Sequence, residues 1–175
     1  MYFDDKEKYI IIDIEGNAAS GIDSNKITQF GALLFDGGNI SEINYYNRNV
    51  NYINSYVARM THISIKKCKA MGLSERHMVN LIYDNIKDCK RVYAYGCDYD
   101  IKALNRLFRK YELPELNINW YDVINDVRKY LCPSKSKLSI AANEYGFEGT
   151  SYHDALGDCY ATFHLMQVIE KIKGK

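Results

Sequence analysis

The most constraining feature of the sequence is a β-branched run that ends in two acids. Residues 9–15 read Tyr-Ile-Ile-Ile-Asp-Ile-Glu, and Gly16 follows. A run of this kind is typical of a central strand buried on both faces. Because residues two apart on a strand point to the same face, Asp13 and Glu15 project together from its end. When two carboxylates lie close together and away from water, either one of them takes up a proton or the pair binds a cation. For this pair alone, the alternative is that Glu15 lies in a loop and each acid pairs with a lysine.

In the rest of the chain, apolar residues recur either at every second position, as in strands, or about every 3.6 positions, as in helices. Further strands are predicted at residues 26–35, 40–50, 91–95 and 118–121, with a hairpin turn at 36–39. Helices are predicted near residues 64, 78–86, 99–111, 123–131, 138–145 and 154–172, and residues 51–63 are interpreted as a loop. A strand meander followed by alternating helices and strands predicts an α/β fold: one mixed sheet with helices on its faces.

Size and composition predict one domain spanning residues 1–175 with one active centre, since 175 residues are too few for two comfortable domains. The longest apolar runs are too short to cross a bilayer, and the first eight residues lack a signal-peptide pattern, which predicts a cytoplasmic protein. The five cysteines include no C-x-x-C pair, which favours reduced thiols over disulfides or a zinc site. A net charge of +1 excludes bulk electrostatic binding to duplex DNA, so any nucleic-acid contact must be local.

Two more acids lie on the apolar faces of predicted helices. Asp100 shares a face with Leu104 and Leu107, and Asp158 shares one with Leu165. The helix macrodipole favours an acid near a helix N-terminus, which accounts for Asp100 better than for Asp158. Four inward-pointing acids together indicate a metal site, because carboxylate oxygens suit Mg²⁺ or Mn²⁺ and such a cluster suits a pair of these ions.

Histidine supplies a candidate base beside these acids. His153 precedes Asp158 by five residues, at the start of the last predicted helix. Its unperturbed pKa suits proton transfer near neutrality. His62 lies in a predicted loop and is the competing candidate, whereas His77 and His164 fall within helical patterns.

With these residues in this order, the sequence resembles the DEDDh 3′–5′ exonucleases, a ribonuclease H-like group that includes polymerase proofreading subunits and RNase T. The resemblance is carried by residues 12–16 (Ile-Asp-Ile-Glu-Gly), 95–100 (Tyr-Gly-Cys-Asp-Tyr-Asp) and 153–158 (His-Asp-Ala-Leu-Gly-Asp). Residues 27–32 are similar to the second family strand, and residues 60–64 to the loop usually written L-T-G-I-T. The resemblance implies a ribonuclease H-like fold with a mixed five-stranded sheet flanked by helices.

The resemblance also implies roles for the five residues. Asp13 bridges two divalent cations, Mg²⁺ or Mn²⁺, while Glu15 and Asp158 complete the ion that activates water. Asp100 holds the second ion, which stabilises the leaving 3′ oxygen, and His153 is the general base.

Substrate contacts follow from the same resemblance. Glu15 touches the terminal ribose 3′-hydroxyl, the loop of Met60, Thr61 and His62 wedges the last base, and Tyr95 lines the pocket. His62 stands where the family loop has glycine. The Tyr95-Gly96 start and residues 147–149 (Phe-Glu-Gly) are similar to the branch of histone-mRNA and small-RNA 3′ exonucleases and KapD-like proteins. This branch favours RNA as substrate.

The sequence therefore leads to three hypotheses. The first is a metal-dependent 3′–5′ exoribonuclease, a phosphodiester hydrolase that removes 5′-mononucleotides from single-stranded 3′ ends. The second keeps this chemistry and makes DNA the substrate, as in proofreading. The third is a non-catalytic nucleic-acid-binding or regulatory module on the same fold, which the presence of all five residues disfavours.

Overall fold

The computed structural model describes residue 2 and residues 7–18, 26–149 and 152–174. The strands are β1 (Tyr9–Gly16), β2 (Ile27–Asp36), β3 (Asn39–Tyr46), β4 (Arg91–Ala94) and β5 (Asn119–Asp122). The helices are α1 (Ser55–Thr61), α2 (Ile65–Met71), α3 (Glu75–Ile86), α4 (Asp98–Lys110), α5 (Val123–Asp126), α6 (Leu138–Glu144) and α7 (Ala155–Lys173), and a π-helical turn (Val127–Leu131) continues α5. The domain predicted over residues 1–175 also includes residues 1, 3–6, 19–25, 150–151 and 175, which lie outside the described part.

The strands form one sheet in the order β3-β2-β1-β4-β5. β1 pairs antiparallel with β2 and parallel with β4, so the sheet is mixed and β1 is its central strand. The prediction of a mixed five-stranded sheet flanked by helices is confirmed.

β1 is covered on both faces because its side chains alternate between two cores. Ile10, Ile12 and Ile14 belong to the core that α3 and α4 cover. Tyr9 and Ile11 belong to the core beneath α7 and its neighbours. This burial explains why the strand lacks the polar alternation of a half-exposed strand.

Three elements differ from the sequence prediction. β3 ends at Tyr46 instead of residue 50, because the Asn47 side chain accepts a bond from the Asn49 N–H at 2.9 Å and turns the chain. α1 forms within the segment interpreted as a loop, with the Asn54 side chain capping its first turn. The helix predicted over 123–131 becomes a π-helical turn after Asp126.

No helix in the described part of the chain combines the length and apolar character that a membrane span requires.

Candidate active site

The site is built where the end of β1 meets the start of α7. Asp13 pairs across the sheet with Gly31 of β2. A Cβ atom on Gly31 would lie 2.3 Å from the backbone of Ala155 and Leu156. Since paired residues on neighbouring strands point to the same face, Asp13 faces α7 as well. The missing side chain at position 31 therefore allows α7 to approach the acids of β1.

A hydrogen-bond network holds the first turn of α7 in place. Asp154 caps the helix by accepting a bond from the Gly157 N–H at 3.2 Å. Gln29 of β2 donates to the other Asp154 oxygen at 3.0 Å, and its own oxygen accepts from the Ala155 N–H at 3.3 Å. These bonds fix the helix from which Asp158 extends. Sequence reasoning missed Gln29, Gly31 and Asp154, although the position of Asp154 before an apolar helix is a capping signal.

Glu15, His153 and Asp158 come together in space. Each offers one ligand atom, and the three atoms lie within 4.8 Å of one another. One oxygen of Asp158 accepts a bond from the His153 N–H at 3.3 Å. The other oxygen, Oδ1, is buried and has no hydrogen-bond partner among the described residues. A buried carboxylate oxygen without a donor is costly for the protein alone and is suited to bind a cation.

Asp100 lies near enough to be influenced by the charge of Glu15, but it is not one of the three residues whose ligand atoms lie within 4.8 Å of one another. It lies in the first turn of α4 with 5% of its surface exposed. Burial, followed by the nearby charges of Glu15 and Asp122, raises the pKa of Asp100 to about 8, while a hydrogen bond from the Ile14 backbone opposes this shift. The inward orientation predicted from the helical face is thus present in the structure.

Burial, and after it the repulsion between carboxylates, governs the electrostatics of the site. Burial and the charges of Asp100, Asp158 and Glu15 raise the pKa of Asp13 well above its usual range. Burial and the neighbouring acids Asp158 and Asp154 likewise raise the pKa of Glu15 to about 7. Burial raises the pKa of Asp158 to about 7 as well. A bound divalent cation would reverse this preference and favour the ionised forms.

His153 takes an unusual backbone conformation beside the acids. Its φ is 63°, in the left-handed region that non-glycine residues rarely occupy. Burial, followed by the charge of Lys137, lowers the pKa of its ring. This shift favours the neutral imidazole, which is the form that can accept a proton.

Besides Glu15, four residues are predicted to contact substrate, and their side chains differ in exposure and in hydrogen bonding. Met60 is half-buried and His62 is exposed, with φ of 55° at the C-terminal end of α1. Thr61 is buried, and its hydroxyl donates to the Val57 carbonyl at 3.0 Å. The Tyr95 hydroxyl donates to the Ser136 carbonyl at 2.9 Å, so it holds a neighbouring loop.

Comparison with known families assigns the chain. The sequence model described as Exonuclease, the RNase T family, matches residues 10–166, a range that includes all five predicted catalytic residues. The chain belongs to the RNase T family of exonucleases. Among curated proteins, no sequence matches significantly.

Solved structures of this exonuclease fold superimpose closely. The zinc-bound complex of E. coli ExoI with single-stranded DNA has a TM-score of 0.86 at 16% identity, over 97% of this chain and 42% of that chain. The ExoI/SSB-Ct complex gives 0.83 at 15% identity over 97% and 42% of the two chains. A product-bound structure of exonuclease I gives 0.82 at 16% over 97% and 44%. The chain thus spans less than half the length of these neighbours.

Proposed function

We propose that this exonuclease domain, residues 1–175, removes 5′-mononucleotides one at a time from single-stranded 3′ ends, with RNA as the favoured substrate. The observation that carries the proposal has two parts: Glu15, Asp158 and His153 each offer a ligand atom within 4.8 Å of the others, and the buried Oδ1 of Asp158 has no hydrogen-bond partner among the described residues. A structural cluster would satisfy that oxygen with a lysine or an amide.

The acidic residues fit a divalent-cation site. Asp13, Glu15, Asp100 and Asp158 would hold two Mg²⁺ or Mn²⁺ ions, because hard oxygen ligands suit these metals and the four acids repel one another without them. When bound, such ions lower the pKa of water and stabilise charge on a leaving oxygen.

The remaining roles belong to side chains around the cluster. His153 accepts the proton of the attacking water, which its lowered pKa and its position beside Asp158 favour. Glu15 also contacts the 3′-hydroxyl of the terminal ribose. Met60, Thr61 and His62 at the end of α1 shape the pocket for the last base, and Tyr95 lines it.

The nature of the sugar is a separate proposal. RNA is favoured by the resemblance of Tyr95-Gly96 and residues 147–149 to the RNA-processing branch. DNA is the second candidate, because the structural neighbours include exonuclease I bound to a dA16 oligonucleotide. A non-catalytic module is the third, and the complete set of four acids and a histidine opposes it.

The test uses end-labelled single-stranded RNA and DNA of equal sequence, each with Mg²⁺, Mn²⁺ or EDTA. Release of 5′-mononucleotides from the 3′ end is expected with either metal and not with EDTA, and a 3′-phosphate or duplexed end should resist. The single-turnover rate on RNA should exceed that on DNA. A ratio of the RNA rate to the DNA rate below one would make DNA the favoured substrate. Metal-dependent binding without cleavage would favour the non-catalytic module.

A further inference from the structure

One segment of this chain has a marked net positive charge because it contains few acids. Residues 43–83 contain six lysines and arginines but a single acid, Glu75, although the whole chain has a net charge of +1. This segment runs from the end of β3 through α1 and α2 into α3. It includes the Met60–His62 end of α1, so the basic segment adjoins the proposed pocket for the last base.

Part of this charge lines a cleft beside the segment. The cleft has a volume of about 340 Å³, and its cationic lining residues are Lys26, Arg76 and Lys110. The buried carboxylate of Glu75 accepts bonds from Lys110 and from the Tyr111 hydroxyl. Glu75 thus neutralises Lys110, whereas Lys26 and Arg76 form no ion pair with any described residue. Lys26 donates to the Asn49 carbonyl at 3.1 Å and Arg76 lies over the Tyr111 ring, contacts that leave both positive charges uncompensated for an external anion.

The cleft is close to the catalytic acids. Glu15 pairs with Gln29 on β2, and Lys26 precedes Gln29 by three residues, which corresponds to about 10 Å along the strand. Asn17, two residues after Glu15, accepts a bond from the Lys26 N–H at 2.8 Å through its side chain. An anion at Lys26 would therefore lie within a few nucleotides of the reacting phosphate.

Two tyrosines of the same basic segment are exposed to solvent. Tyr52 is 61% exposed and Tyr56 is 58% exposed, whereas most tyrosines of a domain pack into its interior. Asn17 also donates to the Tyr52 carbonyl at 3.1 Å, which ties this stretch to the end of β1. Within α1, Tyr56 and Met60 are four residues apart and so lie on one face, about one helical turn from each other.

Exposed aromatic rings and cations without ion-pair partners suit the binding of a single-stranded nucleic acid, because the rings stack on bases and the cations bind phosphates. We infer that Tyr52, Tyr56, Lys26 and Arg76 form a strand-binding surface. This surface holds the nucleotides upstream of the reacting 3′ end, with bases on the tyrosines and backbone phosphates at the cleft. The inference rests on the proposed function only for the direction of the strand.

The test measures binding of a single-stranded 12-mer and single-turnover cleavage of a dinucleotide. Tyr56→Ala should weaken 12-mer binding by about 5- to 150-fold, the range for loss of one stacked base, whereas Tyr56→Phe, which keeps the ring, should bind normally. The double variant Lys26→Gln, Arg76→Gln should lose two phosphate contacts. The slope of log Kd against log salt concentration should therefore fall in magnitude by about 1.4. All these variants should cleave the dinucleotide at the unmodified rate.

The matched control for charge is Lys171→Gln. Lys171 is exposed near the end of α7, 13 residues beyond Asp158, which places it about 20 Å along the helix from the site. Unchanged 12-mer binding and salt dependence in the tyrosine and cleft variants would overturn the strand-binding surface. If the variants lose 12-mer binding while the unmodified protein cleaves neither the 12-mer nor the dinucleotide, the strand-binding surface would be upheld and the proposed nuclease function rejected.

Discussion

The fold strongly opposes the negative charge of Asp13. This residue lies on the central strand, where burial and four neighbouring acids raise its pKa well above the usual range. In the proposed site, bound cations relieve this repulsion, so the residue is unfavourable without metal and required with it.

We predict that Asp13→Asn raises the melting temperature of metal-stripped protein and abolishes nucleotide release. The rise should be a few degrees, because about 1 kcal/mol shifts a domain of this size by roughly 2–4 °C. Added Mn²⁺ should stabilise the unmodified enzyme more than the variant. Asp36→Asn, at an exposed acid that ends β2, is the control and should change neither quantity. Equal Mn²⁺-induced shifts in the Asp13 variant and the unmodified enzyme would place the ions elsewhere.

The two candidate bases can be separated without disturbing the backbone. His153 and His62 both have positive φ, at 63° and 55°, and asparagine tolerates this conformation better than alanine. We predict that His153→Asn lowers the single-turnover rate by about 10²–10⁴-fold, the usual contribution of general-base catalysis. His62→Asn should retain most of the rate at saturating substrate. A larger loss in the His62 variant would reverse the assignment.

At the scale of elements, the contact between β2 and α7 decides the position of Asp158. The helix backbone lies so close to Gly31 that a Cβ atom would meet it at 2.3 Å. β2 and α7 are rigid elements fixed by their own hydrogen bonds, so the excess volume has to be relieved by moving one against the other.

We predict that Gly31→Ala lowers the free energy of unfolding by about 1–3 kcal/mol, as overpacking of a core does. It should also reduce turnover and Mn²⁺ affinity at temperatures where the protein stays folded, because the start of α7 carries a proposed ligand. Gly174→Ala, where the nearest contact would be 3.4 Å, is the matched control. A destabilised variant with normal Mn²⁺ affinity would limit Gly31 to a packing role.

At the scale of the whole molecule, one buried acid joins distant parts of the chain. The Asp126 carboxylate accepts bonds from the hydroxyls of Tyr2 and Tyr121 and from Lys173 at the end of α7. These donors lower the pKa of Asp126 below its ordinary value of 3.8 despite its burial. The ionised form is therefore the one that stabilises the fold.

We predict that Asp126→Ala lowers the free energy of unfolding at pH 7 by at least about 1.5 kcal/mol, the contribution of a single hydrogen bond to a charged group. Because the pKa of Asp126 is lower in the folded state than in the unfolded state, its ionised carboxylate stabilises the fold at a pH above the unfolded-state pKa. This stabilisation is lost as the pH falls through the folded-state pKa. The difference between variant and unmodified protein should thus shrink below pH 3.8. Asp84→Ala removes an exposed pair with Lys87 and should change stability little. A pH-independent difference would show that packing of the side chain, and not its charge, is what counts.

Local sequence alone determined the central strand, the helical faces and the five catalytic candidates. The run of three isoleucines before Asp13 allows little except a buried strand, and the 3.6-residue period carries Asp100 inward with its apolar neighbours. These signals are strong because each depends only on residues that are close together in the sequence. The family motifs rest on the same short stretches, which is why the sheet and the exonuclease family followed from them.

Only the tertiary structure decided what brings those residues together. Gly31 and Gln29 position α7 through contacts more than a hundred residues apart in sequence, which no local period records. The strand-binding surface likewise depends on Asn17, which ties Lys26 and Tyr52 to the end of β1. The unsatisfied oxygen of Asp158 emerges only from packing, because the partners of a buried atom are set by every element around it.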